Sequence, residues 1–395
     1  MHQIREYIRL NARLLGWLFL ALVGLAWLML YRLGTLPGGL SAGEMHAAVQ
    51  PVGWHGIYHQ PLNLPLLMIR SVVFWPAPNH GALLTRLPNV FWGGLAVTSF
   101  AWLMWLWHGA RTTVLATILF ASGAWTLHAS RLASFDVLYL WAMPTLLLIQ
   151  ALGQQFKRPV VWYGSLIAWG LMLYIPGMVW LVALSIWLQR QSISQAWQKL
   201  NLWWQRSLSV LFSIIWLPLL LIDLSRPSQL AQWVGLPSHL ASPLKLLKQL
   251  VGVFVHLLVR GPQYPDIWLT QLPILDVFCL VMFIFGGIFY VLHWQAKRSR
   301  QLGLFSAVGV VLIALNGSVG LSLLVPVLYM VAATGITYLL HEWLGIFPRN
   351  PLARSVGIGL VALAVAVSCL YNYRAYFVAW PHNTVTSATF RYHRP

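Results

Sequence analysis

Few side chains in this sequence could do chemistry, and two of the acidic ones stand beside apolar segments. Asp136 opens the run "DVLYLW" five positions after Arg131, and Glu44 lies in "SAGEMHAA". A carboxylate can accept a proton from a hydroxyl group, and a guanidinium can hold two oxygens of a phosphate. A simpler interpretation also fits, in which Asp136 caps a helix and pairs with Arg131 at an interface while Glu44 is an ordinary residue of a surface helix.

The composition predicts a multi-pass membrane protein. Of 395 residues, 59% are hydrophobic and only 8% are charged, and there are 23 tryptophans, a residue that favours membrane interfaces. The formal charge of +18 is spread over short clusters, which fits anionic lipid head groups better than nucleic acid. Cys279 and Cys369 both lie in apolar segments, so no disulfide framework is indicated.

A helix needs about 20 apolar residues to cross a bilayer. We therefore predict an all-α, polytopic fold with about 11 spans. The least certain pair is 159–174 and 176–189, two short segments that "YIPGMVW" separates and that are either tilted crossing helices or a re-entrant hairpin. The predicted spans are 13–32, 84–107, 111–128, 134–152, 159–174, 176–189, 207–223, 273–294, 302–316, 319–341 and 355–372.

The basic residues near the ends of the spans predict the orientation. Arg5, Arg9 and Arg13 precede the first span, which puts the N-terminus in the cytoplasm. The first apolar run is expected to stay in place as an anchor in the plasma (inner) membrane.

The long loops 33–83 and 224–272 and the tail 373–395 are then predicted to lie outside, and both loops contain amphipathic surface-helix candidates. We call 33–83 the first outer loop and 224–272 the second outer loop, after this predicted side. We expect one integrated membrane domain, built from an N-terminal module, 1–190, and a C-terminal module, 191–395.

Several other polar residues are predicted on the outer face. Histidines 46, 55, 59, 80 and 128 lack a compact ligand spacing, so no metal ligand is assigned, no cofactor is certain, and a divalent metal stays an open alternative. Asp276 lies one turn inside a helix end, where an acid needs a partner or a wet cavity. Arg70 is expected to contact lipid head groups.

Four short motifs, taken in order, resemble the GT-C class of membrane glycosyltransferases, especially bacterial members related to protein O-mannosyltransferases and aminoarabinose lipid A transferases. They read "SAGEMHAA", "HQPLNLPLLMI", "LTRLPNVFWGGLAV" and "HASRLASFDVLYL", and the ordered match covers about residues 10–155. The chain departs from the family at Gly43-Glu44, where an Asp-Glu pair is usual. It also lacks an Asp-x-Asp nucleotide-sugar motif, which agrees with a lipid-linked donor.

The resemblance implies an inverting transfer of a sugar from a polyprenyl phosphate to a protein, glycan or lipid acceptor at the outer membrane face. Glu44 is the candidate base, with Asp136 orienting the helix, the acceptor or an arginine. Arg131 is the first candidate for the donor phosphate. Lys245, Lys248 and Arg86 are further candidates for the phosphate, and Arg86 has a structural role as its alternative. His59 and His128 are candidates for contacts with the acceptor or the phosphate.

Two rival functions remain open on these residues. A lipid or solute transporter predicts polar residues in the middle of the spans and activity without covalent change, and the middles of these spans are nearly free of charge, which counts against it. A non-catalytic, lipid-binding or assembly subunit of the same class is supported by Gly43, which stands where an acid is usual.

Overall fold

The computed structural model describes residues 20–49, 62–75, 81–155, 159–225, 227–237, 242–262, 268, 272–315 and 317–392. Within these ranges the chain is almost entirely helical, and an isolated bridge between Leu40 and Tyr392 joins the first outer loop to the C-terminal segment. The α-helices are α1 Leu20–Leu30, α2 Ala42–Val49, α3 Leu64–Phe74, α4 Ala82–His108, α5 Ala110–Ser122, α6 Ala124–Arg131, α7 Asp136–Gln155, α8 Pro159–Leu173, α9 Met178–Lys199, α10 Leu202–Ser225, α11 Pro227–Val234, α12 Pro243–Leu258, α13 Val277–Leu292, α14 Lys297–Ala314, α15 Val325–Ile346, α16 Pro351–Arg374 and α17 Thr384–Thr389.

Long apolar helices form the body of the protein. By length and composition, four described helices can cross a membrane: Ala82–His108, Asp136–Gln155, Leu321–Ile346 and Pro351–Ala379. Two bent pairs raise this number to six: α5 with α6, bent by 60°, and α13 with α14, bent by 119°. The chain is a multi-pass membrane protein, and the count of 11 spans stays a prediction.

The predicted break between 159–174 and 176–189 is confirmed, because two separate helices lie there, whereas their crossing of the membrane stays a prediction. α8 and α9 are joined by a turn in which Gly177 has a φ of 75°, a conformation that glycine adopts without strain. The Gly177 amide donates to the carbonyl of Trp233 at 2.8 Å, and so ties this turn to α11 of the second outer loop. The sequence signal Pro176-Gly177 therefore marked a real boundary.

The core is continuous through both halves of the chain. α4 packs along α7, and α13 packs along α15. Aromatic and aliphatic side chains from the first and last thirds, such as Phe120 and Tyr329, lie in the same buried cluster, with ring centroids 5.9 Å apart. Within this body α7 packs against both α6 and α15, so the three helices have fixed positions relative to one another.

The bend at Gly123 sets the position of α6. An added Cβ at Gly123 would overlap the hydroxyl of Tyr329, so the close approach of α15 requires glycine there. Beyond the bend, all residues of α6 from Ala124 to Arg131 are buried. The helix that carries His128 and Arg131 is therefore enclosed by the rest of the protein.

Candidate functional site

A cavity of about 600 Å³ lies where the two halves of the chain meet. Its polar lining includes Asp136 at the start of α7, together with Lys245, Lys248 and His256 of α12. The remaining lining residues are Trp125, Gln249, Gly252, Val253, Pro262, Ile313, Ala314, Val319, Gly320 and Leu321. A concave site of this size with a few convergent polar groups is typical of small-molecule and cofactor sites.

Helix α12 presents two different faces. Lys245, Lys248 and His256 recur at helical spacing on the side that lines the cavity. Leu244, Leu247 and Val251 project from another side and are 64%, 59% and 57% exposed. The second outer loop therefore carries the amphipathic helix that the sequence predicts, with its cations directed at the cavity and its apolar stripe directed away from the protein.

Asp136 is the acidic residue of the cavity lining. It begins α7, where the helix dipole favours a negative charge. The carboxylate is half-buried and lies so close to Gly320 that an added Cβ there would overlap Oδ1. The hydroxyl of Tyr139 fixes the segment around Gly320, because it lies within hydrogen-bonding distance of the Ser318 carbonyl, at 2.9 Å. It also lies 3.0 Å from the carbonyl of Pro176.

Glu44 and Arg86 form a buried ion pair outside the cavity lining. Arg86 Nε donates to Oε1 at 2.8 Å and Nη2 donates to Oε2 at 2.9 Å, while the two side chains are 4% exposed or less. Glu44 also accepts from the backbone N–H groups of Ala133 at 3.1 Å and Ser41 at 3.3 Å. All four donors point at one carboxylate, and this arrangement favours a structural role for Glu44.

The three guanidinium nitrogens of Arg86 likewise all donate hydrogen bonds within the protein. Its guanidinium also donates to the carbonyls of Leu33 at 2.9 Å, Leu36 at 3.2 Å and Gly39 at 2.7 Å. The "RLP" that opens α4 therefore holds the first outer loop against the membrane domain. These contacts favour a structural role for Arg86 over phosphate binding.

Arg131 is fully buried and bonded to the protein. Its nitrogens donate to the carbonyls of Leu28 at 2.6 Å and Tyr31 at 2.5 Å and to the hydroxyl of Tyr376 at 3.1 Å. The guanidinium also lies over the ring of Phe377, 4.8 Å from the centroid. Arg131 thus joins α6 to α1 and to the segment after α16, and none of these contacts leads to the cavity.

The predicted histidines are separated from the cavity lining or lie outside the described residues. His128 is 2% exposed, between the rings of Tyr376 and Trp380, with centroid distances of 4.7 and 4.5 Å. His59 lies outside the described residues. Among the residues that the structure describes, no group of three or more His, Cys, Asp or Glu side chains could hold a metal ion.

Asp276 caps α13 and is fully partnered. Its Oδ1 accepts from the amide of Cys279 at 3.0 Å, and its Oδ2 accepts from Ser368 Oγ at 2.7 Å and Asn372 Nδ2 at 3.0 Å. These bonds join α13 to α16. The cost of an acid at this depth is therefore offset by three hydrogen bonds.

The expectation that Arg70 contacts lipid head groups is wrong. The side chain is 2% exposed, because α3 packs on α4 and turns this residue inward. Its Nη2 donates to the carbonyl of Ala133 at 3.2 Å, and the guanidinium lies over Phe135, 5.3 Å from the ring centroid. Burial lowers the pKa of Arg70 to about 10.

Like Gln249, His256 is a polar lining residue that the sequence interpretation missed. Its ring lies 3.2 Å from the carbonyl of Arg260, a contact that orients the imidazole at the end of α12. A usable signal was present, because His256 follows Lys245 and Lys248 by 11 and 8 residues and therefore shares their helix face.

The fold agrees with that of a known membrane transferase. No protein-family model matches the sequence, and no curated protein matches it. The solved structure of ArnT from Cupriavidus metallidurans in the apo state superposes with a TM-score of 0.58 at 12% identity, over 96% of this chain and 78% of that one. The structure of the same ArnT bound to undecaprenyl phosphate gives a TM-score of 0.52 at 13% identity, over 95% and 75% of the two chains.

These superpositions define the class of fold. The chain has the architecture of the GT-C glycosyltransferases, and the predicted all-α, GT-C-like fold is confirmed. The particular neighbour is ArnT, an aminoarabinose lipid A transferase.

Proposed function

We propose that this chain transfers a sugar from a polyprenyl-phosphate donor to an acceptor at the outer membrane face, and that the reaction takes place in the Asp136 cavity. The observation that carries the proposal is the pairing, in one cavity, of an acid with two lysines on an amphipathic helix. The fold supports it, because the ArnT neighbour binds undecaprenyl phosphate.

The lysine pair fits the phosphate of the donor. Lys245 and Lys248 lie one helical turn apart, so both ammonium groups can reach the oxygens of a single phosphate. Positive charge at this position stabilises the polyprenyl phosphate as it leaves. The apolar stripe of α12 lies near the same residues and suits the isoprenoid chain.

Asp136 is proposed as the base. Its carboxylate takes the proton of the acceptor hydroxyl as the hydroxyl oxygen bonds to the anomeric carbon. The bond between that carbon and the phosphate oxygen breaks, and its electron pair leaves with the polyprenyl phosphate. Attack from the face opposite the phosphate inverts the anomeric configuration. The prediction that Glu44 is the base is replaced in this proposal, because its two oxygens already accept four hydrogen bonds.

A second candidate function has its own observation in the first outer loop. Gly43 is exposed at the position where the related enzymes carry the first acid of a pair, and Glu44 is committed to Arg86. A subunit that binds a lipid phosphate without turning it over would show these features. Donor binding without donor consumption distinguishes this function from the transferase.

The test of the donor site measures undecaprenyl phosphate binding to the purified protein in lipid nanodiscs, by native mass spectrometry. The double variant Lys245→Ala/Lys248→Ala is expected to bind at least tenfold more weakly, because each charge-assisted hydrogen bond contributes about 1.5 kcal/mol or more. The matched control is Lys199→Ala/Lys297→Ala, which removes two exposed lysines far from the cavity lining. Equal binding by the two double variants would contradict the lysine site.

The test of the base uses proteoliposomes made from the lipid extract of a cell envelope. Mass spectrometry follows the conversion of undecaprenyl-phosphate-linked sugars to undecaprenyl phosphate. Asp136→Asn is expected to bind undecaprenyl phosphate normally and to lose this conversion. Conversion at the wild-type rate would exclude Asp136 as the base, and binding without conversion by the wild type would favour the non-catalytic subunit.

A further inference from the structure

The short turn that carries Asp136 is held by side chains from three separate elements. Residues 132–135 connect the end of α6 to the start of α7. Glu44 of α2, Arg70 of α3 and Asn89 of α4 all bond to this turn. Two of these three side chains come from the first outer loop, far from Asp136 in sequence.

The backbone of Ala133 is held at both of its polar groups. The Ala133 N–H donates to Glu44 Oε1 at 3.1 Å, and the Ala133 carbonyl accepts from Arg70 Nη2 at 3.2 Å. The next carbonyl, that of Ser134, accepts from Asn89 Nδ2 at 2.6 Å. Three backbone groups of two consecutive residues are therefore fixed by buried side chains, just before Asp136.

Arg70 is committed to this turn. Within the described residues, its Nε and Nη1 have no hydrogen-bond partner, so its single hydrogen bond is the one to Ala133. Its ring contact is with Phe135, another residue of the same turn. Burying a guanidinium costs free energy unless its contacts compensate, and here the hydrogen bond and the ring contact of the cation both go to the segment that precedes Asp136.

We infer that Glu44, Arg70 and Asn89 are positioning residues that fix the Asp136 turn at the edge of the cavity. The importance of Asp136 for sugar transfer rests on the proposed function. The clamp, by which we mean the bonds from Glu44, Arg70 and Asn89 to residues 133 and 134, rests on the geometry alone. The first outer loop then has a definite role, since α2 and α3 hold the acid while α12 of the second loop brings the cations. The contacts of Glu44 and Arg70 with Ala133 thereby link α2 and α3 to the turn that carries Asp136.

The test compares two buried arginines that both donate to backbone carbonyls. Arg70→Gln removes a contact of the turn, whereas Arg131→Gln removes contacts to Leu28 and Tyr31 and serves as the matched control. The reactivity of the Asp136 carboxyl is measured with a water-soluble carbodiimide and an amine, and the modified peptide is quantified by mass spectrometry. Thermal unfolding of each variant is recorded in parallel.

We expect Arg70→Gln to change the labelling rate of Asp136 at least threefold, and Arg131→Gln to leave it within the wild-type range even where it lowers the melting temperature as much. Asn89→Ala should move the rate in the same direction as Arg70→Gln, and Arg70→Lys should restore part of the wild-type value, because an ammonium can still donate to Ala133. Unchanged labelling in Arg70→Gln, or an equal change in Arg131→Gln, would overturn the inference.

Conversion of the donor lipid provides the functional readout. In the proteoliposome assay, Arg70→Gln is expected to lower the maximal rate at least tenfold and to leave the affinity for undecaprenyl phosphate unchanged, with partial rescue by Arg70→Lys. If binding falls along with the rate, Arg70 serves the donor and the positioning role is wrong. Failure of the wild type to convert any donor would remove the proposed function and leave the labelling result to decide the clamp.

Discussion

Removing Glu44 should destabilise the protein strongly, because it leaves Arg86 as an unpaired buried cation. The Arg86 side chain is fully buried and bonded to both carboxylate oxygens at 2.8 and 2.9 Å. Breaking a buried ion pair by removing one partner costs about 3–5 kcal/mol. We therefore expect Glu44→Ala to lose about 3–5 kcal/mol of unfolding free energy.

Arg86→Ala should cost more than Glu44→Ala. It leaves the Glu44 carboxylate buried, and it also removes the donor of four loop carbonyls, those of Leu33, Leu36, Pro37 and Gly39. Each buried carbonyl left without a donor costs roughly 1 kcal/mol or more. In the double variant Glu44→Ala/Arg86→Ala, however, the second substitution removes a side chain that has already lost its ion-pair partner. The two effects should fall short of additivity by about 2 kcal/mol.

The assay is equilibrium unfolding in detergent with increasing denaturing detergent, followed by tryptophan fluorescence. Arg298→Ala is the control for additivity. It removes a bond to the carbonyl of Trp107 at the far end of α4, about 30 Å from Arg86 at 1.5 Å per residue. Its effect should add to that of Glu44→Ala within about 0.5 kcal/mol. A Glu44→Ala protein within about 1 kcal/mol of the wild type would refute the assignment of Glu44 to a buried structural pair.

Three further substitutions test other parts of the structure. Gly320→Ala should displace Asp136, because the added Cβ overlaps Oδ1, and donor conversion should fall while the melting temperature changes little; full conversion would show that this close approach is not required. Arg131→Lys loses the planar guanidinium fork that donates in three directions and should cost about 3 kcal/mol in the unfolding assay, with undecaprenyl phosphate still bound by the folded protein. Asp276→Ala removes a cap and the partner of Ser368 and should cost about 2–4 kcal/mol without altering donor binding, whereas a specific loss of binding would assign Asp276 to the site.

Most of the fold could be predicted from the sequence because the signals are local. Long apolar segments, a Pro-Gly break at 176–177 and the lysine spacing of α12 each depend on neighbouring residues. The bend at Gly123 was missed, since the predicted span 111–128 shows no break in hydropathy and the bend depends on Tyr329 of α15. A contact between residues about 200 positions apart leaves no mark on local periodicity.

The roles of the charged residues were harder to predict for the same reason. Arg131 and Asp136 are five residues apart and suggested a joint site, yet Arg131 bonds to Leu28 and Tyr31 on α1 and its C-terminal end. Glu44 and Arg86 are 42 residues apart, and their pairing depends on how the first outer loop folds back. Lys245 and Lys248 line one cavity with Asp136. No sequence motif joins these three residues, and their grouping was suggested only by the resemblance to the GT-C class.

The scarcity of acids makes the number of hydrogen-bond donors around each carboxylate informative. Glu44 and Asp276 are buried, and their oxygens accept bonds from four and three donors, so each stabilises the junction at which it lies. Glu342 is exposed near the C-terminal end of α15. Among the acids whose side chains the structure describes, Asp136 is the one that lines the large cavity with cations on the facing helix. An acid that takes part in a reaction must face a space that admits a substrate, and the place of Asp136 in the cavity lining is therefore the physical basis for proposing it as the base.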